Sequence, residues 1–325
     1  MSDDAIVSEH VDERDLPYDI EPDSVDAPRT TRARIWHGPL SDKLALLGAV
    51  VVLGFVAVAV LAPLIAPLDP TQTYEFMKPP LSSSVGNFDA DPARESAFHV
   101  LGTDAYGHDI LSQIVYGSRI SLTVAFGTIV IAFGAGTTIG LLAGYYGGLV
   151  DTLLMRYIDF QWAFPELILA VGLIAFTGGT GLWNVVIAIG IAYIDDFARL
   201  VRGEVLSLRE EEYVTAARSV GETDRRIMSR EILPNAVAPM IVQATFMIPL
   251  AILAEAALSF LGLGLNPTTP TWGILISSGR NYLQQAWWIS VMPGLAIMIT
   301  VLGFNMFGDG LRDVFDISDT EVDRR

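Results

Sequence analysis

Leu167–Ile194 reads LILAVGLIAFTGGTGLWNVVIAIGIAYI, a run with no charged side chain. An apolar run of about 18 residues or more is long enough to cross a hydrocarbon core as a helix. Gly178, Gly179, Thr180 and Gly181 interrupt this one in its middle. It therefore reads either as one long span or as two spans joined by a tight turn. The choice decides the sidedness of everything that follows.

Working outward, Leu44–Leu68 and Ile120–Val150 are also free of charge, and the second is rich in small residues that suit close helix packing. Between them, 69–119 carries Pro70, Pro79, Pro80, Gly86 and Pro92 and reads as an exposed excursion. A fifth span is expected over about 235–260, with Pro239 and Pro249 as kinks. An external loop follows. A sixth span opens at Trp287 and Trp288, read as interfacial aromatics, runs to about Gly308 and is bent by Pro293.

Basic residues collect on the inner side of membranes, and this rule arbitrates the ambiguous run. With a turn at 178–181 there are six spans. Arg14, Arg29, Arg32, Arg34, Lys43, Arg156, Arg199, Arg202, Arg209, Arg218, Arg225, Arg226, Arg230, Arg312, Arg324 and Arg325 then share one side, 16 of the 20 bases. Only Lys78, Arg94, Arg119 and Arg280 fall outside. A single span would put the seven-arginine loop outside. The expectation is an all-α membrane protein with six transmembrane helices and both termini cytoplasmic.

Composition agrees. The chain is 51% hydrophobic with mean hydropathy +0.45, too apolar for an ordinary soluble domain, yet its formal charge is −17. The acids sit in tails and loops. Residues 1–28 hold ten acids against Arg14, and such a segment is expected to stay disordered. It lacks a basic stretch followed by an apolar one, so the first span is expected to remain as an anchor. There is no cysteine, and Lys43 and Lys78 are the only lysines. An acidic, lysine-poor surface points to a halophilic setting, where a short Debye length screens self-repulsion. Indifference to dilution from molar salt would refute this.

Between the fourth and fifth spans lies Tyr213–Pro234, YVTAARSVGETDRRIMSREILP. Asp195, Arg199 and Arg202 precede it at helical spacing, where they can pair within one helix. Val214 to Val220 reads as a short helix. Gly221 suits the left-handed position that ends it. Thr223 is a plausible N-cap for a second helix from Asp224 to Leu233, Pro234 is expected to stop that helix, and Asn235 to cap the next span. Ile227, Met228 and Leu233 form an apolar ridge among Arg225, Arg226 and Arg230. The pattern fits a docking element for a partner groove, and equally a solvated loop packed on its own membrane domain.

This stretch resembles the EAA loop of ATP-binding-cassette (ABC) importer permeases: EAA, three residues, Gly, nine residues, then I-x-L-P. Ala216, Ala217, Gly221, Leu233 and Pro234 keep that register. Thr215 stands where the pattern has Glu, and Glu231 where it has Ile. FHVLGTDAYGHDILSQIVYGSRISL, ARLVRGEVLSLREEEYVTAARSVG, EAALSFLGLGLNPTTPTWG and PGLAIMITVLGFNMFGDGLRD are similar to the C-type permeases of the dipeptide/oligopeptide/nickel importers, with His108 where Arg is usual. The resemblance covers about 42–316. It implies a type I importer permease in the cell membrane, divided into an acidic tail (1–40), a first span with an external loop (41–118), a five-span core containing the coupling loop 211–234 (119–310), and an acidic tail (311–325).

The implied function is one half of an ATP-driven peptide importer. Thr215, Ala216, Ala217, Gly221, Ile227, Leu233 and Pro234 would couple to an ATPase. The implied partners are a homologous second permease, two cytoplasmic ABC ATPases, an extracellular substrate-binding protein, the peptide and the lipid bilayer, with no nucleic acid. A nickel or other small-solute permease, an ATP-independent secondary transporter and a scaffold are the alternatives. ATP and Mg would be bound by the partner ATPases, because neither lysine follows a glycine as a P-loop requires.

The remaining candidates are few. Glu255, Pro249 and Pro293 are candidate pathway or gating residues, with Glu255 alternatively hydrated or paired near the outer interface. Glu166 can snorkel or cap a helix. His99 and His108 with Asp104 and Asp109 match no standard metal-ligand spacing, and turns at Gly102, Gly107 and Gly117 account for the segment. No Ser-His-Asp set is read, so no catalytic residue and no metal site are assigned.

Overall fold

The computed structural model describes residues 43–85, 96–179 and 181–322. The acidic segment 1–40, the loop residues Gly86, Pro92 and Arg94, and Thr180 of the glycine turn lie outside the described residues. The first span is α1 (Lys43–Val60). It yields at Leu61 to the short α2 (Ala62–Ile65), with Pro63 in its first turn, where a missing N–H costs nothing.

The excursion that follows is not wholly irregular. β1 (Ser82–Val85) and β2 (Ser96–His99) pair antiparallel, Ser82 opposite His99 and Ser84 opposite Ala97. Four-residue strands separated by a polar stretch give too short an alternation to stand out in the sequence.

The second span, α3 (Ile110–Tyr146), starts ten residues before the uncharged run. Asp109 caps it, accepting from the Ser112 backbone N–H at 2.8 Å. Arg119 is therefore inside this helix and exposed on it, and Gly117 is helical and packs towards Trp272 rather than turning the chain. A charge-free criterion misplaced this start, although the Asp-Ile-Leu-Ser cap was legible.

Helix α4 (Gly148–Trp162) and α5 (Glu166–Thr177) meet at a 94° bend. Gly178, at φ 69°, ends α5 in the left-handed region, at the first residue of the expected turn. Helix α6 (Leu182–Ala192) runs back and passes through Tyr193 into α7 (Ile194–Leu208). At 11 residues, α6 extends only about 16 Å by itself. Among the described residues four helices are long and apolar enough to cross a membrane, and the bent α4–α5 pair would make a fifth.

Two short helices, α8 (Glu212–Ser219) and α9 (Asp224–Arg226), lead through a π-helical turn, Ile227–Ile232, into α10 (Leu233–Phe260). The segment after α10 holds α11 (Trp272–Gly279). Thr271 caps it through Ile274 N–H, and the buried Trp272 donates from Nε1 to Ile114 O at 3.0 Å. The last helix, α12 (Trp288–Val322), runs well past Gly308. Trp287 is exposed as an interfacial ring would be. Trp288 is buried instead, and its Nε1 donates to Thr103 O, clasping the loop that precedes α3.

Glycines decide which helices touch. Gly136, Gly140 and Gly144 recur every four residues on α3. A Cβ at Gly136 would meet Phe197 Cβ at 2.5 Å, one at Gly140 would meet Ala198 O at 2.5 Å, and one at Gly144 would meet Val205 Cβ at 2.8 Å. The α3 and α7 backbones are thus in direct contact, which replaces the missing hydrophobic drive between helices in lipid. Gly48 does the same for α1 against α12, where a Cβ would lie 2.5 Å from Phe307 N.

Candidate functional site

The loop between α7 and α10 folds as helix, break, helix, as the sequence leads one to expect, and the break is a complete Schellman turn. Gly221 stands at φ 84°. Glu222 N–H bonds to Ala217 O and Gly221 N–H to Arg218 O, both at 3.1 Å. These two bonds satisfy carbonyls that the end of α8 would otherwise leave bare.

The second limb departs from expectation. Thr223 occupies the N-cap position, but its hydroxyl makes no capping bond. Its carbonyl instead accepts from Arg226 and Ile227 N–H at 2.8 and 3.0 Å. Pro234 does not stop this helix. The π-helical turn precedes it, and α10 continues without interruption to Phe260. A π turn is wider than an α turn, so the proline ring escapes its usual clash with the preceding turn's carbonyl. Asn235 is not a cap either; its amide donates to Glu231 O at 2.6 Å and to Tyr213 Oη at 3.3 Å. The second limb is therefore continuous with a membrane-length helix.

The apolar ridge points the other way from the docking reading. Ile227 and Ile232 are fully buried and Met228 nearly so. They pack with Val201 and Val205 of α7, Val214 of α8, and Tyr145. Ile227 is thus inaccessible to another protein, and Leu233 and Ala217 are half-buried against the same cluster. Three-residue and four-residue spacings cannot tell an inward stripe from an outward one when both flanks are charged. Thr215, Ala216, Gly221 and Pro234 are exposed. So is Val220, at 80%, which projects at the tip of the loop. It was legible only as the residue before a helix-ending glycine.

Arg199 and Arg202, ahead of the loop, pair between helices, not within one. Arg202 holds Asp151 of α4 through Nε at 2.6 Å and Nη2 at 2.7 Å, and Arg199 reaches Asp159 at 3.0 Å. Asp195 is buried and accepts from Gln161 Nε2 at 3.3 Å. Asp195, Arg199 and Arg202 do share a face, the one that meets α4. The 94° bend after α4 lets that helix lie beside α7, and this could not be read from spacing.

Glu255 is fully buried rather than hydrated. Ser259 Oγ donates to its Oε1 at 2.7 Å and Ser121 Oγ to its Oε2 at 3.1 Å. It is thus paired by hydroxyls that tie α10 to α3. Pro249 and Pro293 are also buried, inside α10 and α12. Glu166 is exposed in the first turn of α5, where a carboxylate suits the helix dipole.

On the opposite loop, the four His and Asp residues form two pairs. His108 Nδ1 lies 3.1 Å from Asp104 Oδ2, a hydrogen bond that raises the His108 pKa above its ordinary value. His99 Nδ1 lies 2.8 Å from Asp109 Oδ1, and Ser84 Oγ 2.8 Å from His99 Nε2. A Ser-His-Asp connectivity therefore exists, contrary to the sequence reading. Residues 84 and 99 come together only because β1 and β2 pair. His99 and Asp109 are wholly buried and Ser84 is 2% exposed, so the set has no room for a substrate and serves as a clasp between the hairpin and the cap of α3.

A bundle of membrane-length apolar helices carrying an exposed helix–turn–helix loop defines a multi-pass membrane protein. The comparisons narrow the class. Residues 136–317 match the model for "Binding-protein-dependent transport system inner membrane component", and 31–80 match "N-terminal TM domain of oligopeptide transport permease C". The chain is 44% identical over 275 residues to the dipeptide transport system permease protein DppC of Alkalihalophilus pseudofirmus, covering 85% of this chain and 86% of the relative. It is 42% identical over 282 residues to a di/tripeptide transport system permease protein of Pseudomonas aeruginosa, covering 86% and 90%. Its fold matches a chain of the inward-facing MetNI methionine ABC transporter at a TM-score of 0.51 and 20% identity, covering 62% of this chain and 96% of that one. The chain belongs to the binding-protein-dependent ABC importer permeases, as a multi-pass membrane subunit of the DppC/OppC-like group.

Proposed function

We propose that this permease carries peptides inward and takes its drive from separate ATPases through residues 213–234. The observation that carries this reading is the loop itself. An exposed Schellman turn presents Thr215, Ala216, Val220 and Gly221, and its second limb runs unbroken into α10. A push on the turn therefore has a rigid path into the membrane. The names of the relatives support a peptide as cargo. The proposed assembly has a homologous second permease, two ABC ATPases that bind ATP and Mg, and an extracellular binding protein.

The proposed topology has six spans with both termini cytoplasmic. The bent α4–α5 pair supplies one span and α6 continued by α7 the next, and this keeps the arginine-rich loop on the inner side. Glu255, Pro249 and Pro293, buried in α10 and α12, are the proposed pathway or gating residues. Their helices are the ones that a moving loop would reach first or pack against.

Purification of the natural complex from membranes in high salt tests the reading. An ABC ATPase is expected to co-purify with the chain and to be lost when residues 213–234 are replaced by a Gly-Ser linker. Reconstituted vesicles are expected to accumulate a labelled dipeptide. Complexes without an ATPase, or uptake of nickel in place of peptide, would overturn the assignment.

A further inference from the structure

We propose that Tyr145 is a positioning residue for transport: its hydroxyl, bonded to Asp224, locks the second limb of the loop to the end of α3. This rests on the reading that the loop couples the chain to an ATPase.

Tyr145 occupies the last turn of α3 and is 8% exposed. Its Oη donates to Asp224 Oδ1 at 2.8 Å. The Arg218 guanidinium carbon lies 5.9 Å from the centre of its ring. One tyrosine thus touches both limbs, Arg218 before the Gly221 turn and Asp224 after it. A residue earlier, Gly144 O accepts from Arg209 Nη1 at 2.8 Å, which fixes the point where α7 gives way to the loop.

The bond joins two bodies. Helices α3 and α7 form one, interlocked by Gly136, Gly140 and Gly144, and the first limb is attached to it through α7. The other is the continuous helix from Asp224 through the π turn and α10. Around the bond lies the apolar cluster of Val201, Val205, Val214, Ile227 and Ile232, whose contacts have no preferred direction. Other polar links between the bodies are longer: Asn235 Nδ2 to Tyr213 Oη at 3.3 Å and, far along α10, Ser121 Oγ to Glu255 at 3.1 Å. A hydrogen bond to a carboxylate is short and directional, so it sets the angle between the bodies where the apolar contacts alone would let them slide. Displacement of the turn then moves α10 and the α3–α7 pair together. Without the bond, the turn can shift while one body lags.

The test uses the whole importer in proteoliposomes, with ATP hydrolysis and labelled-peptide uptake measured on the same samples. Tyr145→Phe keeps the buried ring and removes only the hydroxyl. Tyr145→Phe and Asp224→Ala are each expected to raise the ATP used per peptide on the order of 10-fold, with ATPase still co-purifying. The double variant is expected to be no worse than either single one, because both remove the same bond. Asp224→Asn, which keeps an Oδ1 acceptor, is expected to restore a ratio near wild type. An unchanged ratio in the single variants, additive effects in the double, or Asp224→Asn behaving like Asp224→Ala would each overturn the role of Tyr145. A wild-type complex that carries no ATPase would instead overturn the coupling reading beneath it.

Discussion

Substitution at Gly221 isolates backbone strain from every other effect. At φ 84° the residue sits where an L side chain is disfavoured, and a Cβ added there would meet nothing within 4 Å. The cost is therefore conformational and not steric. It amounts to about 1–2 kcal/mol for alanine, less for asparagine, which tolerates the left-handed region, and more for a β-branched side chain. Since about 1.4 kcal/mol is a factor of ten in an equilibrium, alanine should lower the population of the intact turn by roughly 5–30-fold relative to glycine. Valine should lower it further. Peptide uptake and peptide-stimulated ATP hydrolysis by the reconstituted importer are expected to fall in the order Gly, Asn, Ala, Val. Membrane insertion should stay unchanged, because Gly221 lies outside every long apolar helix. Wild-type uptake by Gly221→Val, or alanine performing better than asparagine, would refute the claim that transport depends on this turn.

Two further outcomes follow from packing and charge. Gly140→Ala places a Cβ 2.5 Å from Ala198 O and should destabilise the detergent-solubilised chain by about 1–3 kcal/mol, read as a lower melting temperature, whereas Gly134→Ala, facing open space, should not. At the loop before α3, the pKa of His108 is raised by its hydrogen bond to Asp104. The stabilisation from this pair should be fully present below the ordinary histidine value of about 6.5 and lost as pH rises through the raised value. Thermal unfolding between about pH 6 and 8 checks the sign, and Asp104→Asn should flatten the dependence.

Much of the site was legible in order along the chain. The Ala216-Ala217 pair, Gly221 and the Leu233-Pro234 pair kept a spacing that located the loop, and Gly221 took the left-handed turn expected of it. The direction in which the loop's apolar residues point was not legible. Ile227, Met228 and Ile232 recur as an amphipathic stripe must, but a stripe carries no label for the surface that covers it. Val201, Val205 and Tyr145 supply that surface from 22 to 87 positions away in sequence, and only the folded chain brings them there.

Local chemistry in the sequence determined where helices run, where most of them break, and that a polar helix–turn–helix separates two membrane segments. Hydropathy, proline, glycine and arginine placement act over one or two turns and can be read residue by residue. Tertiary structure decided what each element touches. The bend after α4 turned expected intrahelical ion pairs into Arg202–Asp151 and Arg199–Asp159. The β1–β2 pairing assembled Ser84, His99 and Asp109 into a buried clasp. The π turn carried a proline-marked stop straight through into a membrane helix. In each case the deciding contact joins residues on separate elements, and its energy exists only once those elements have packed.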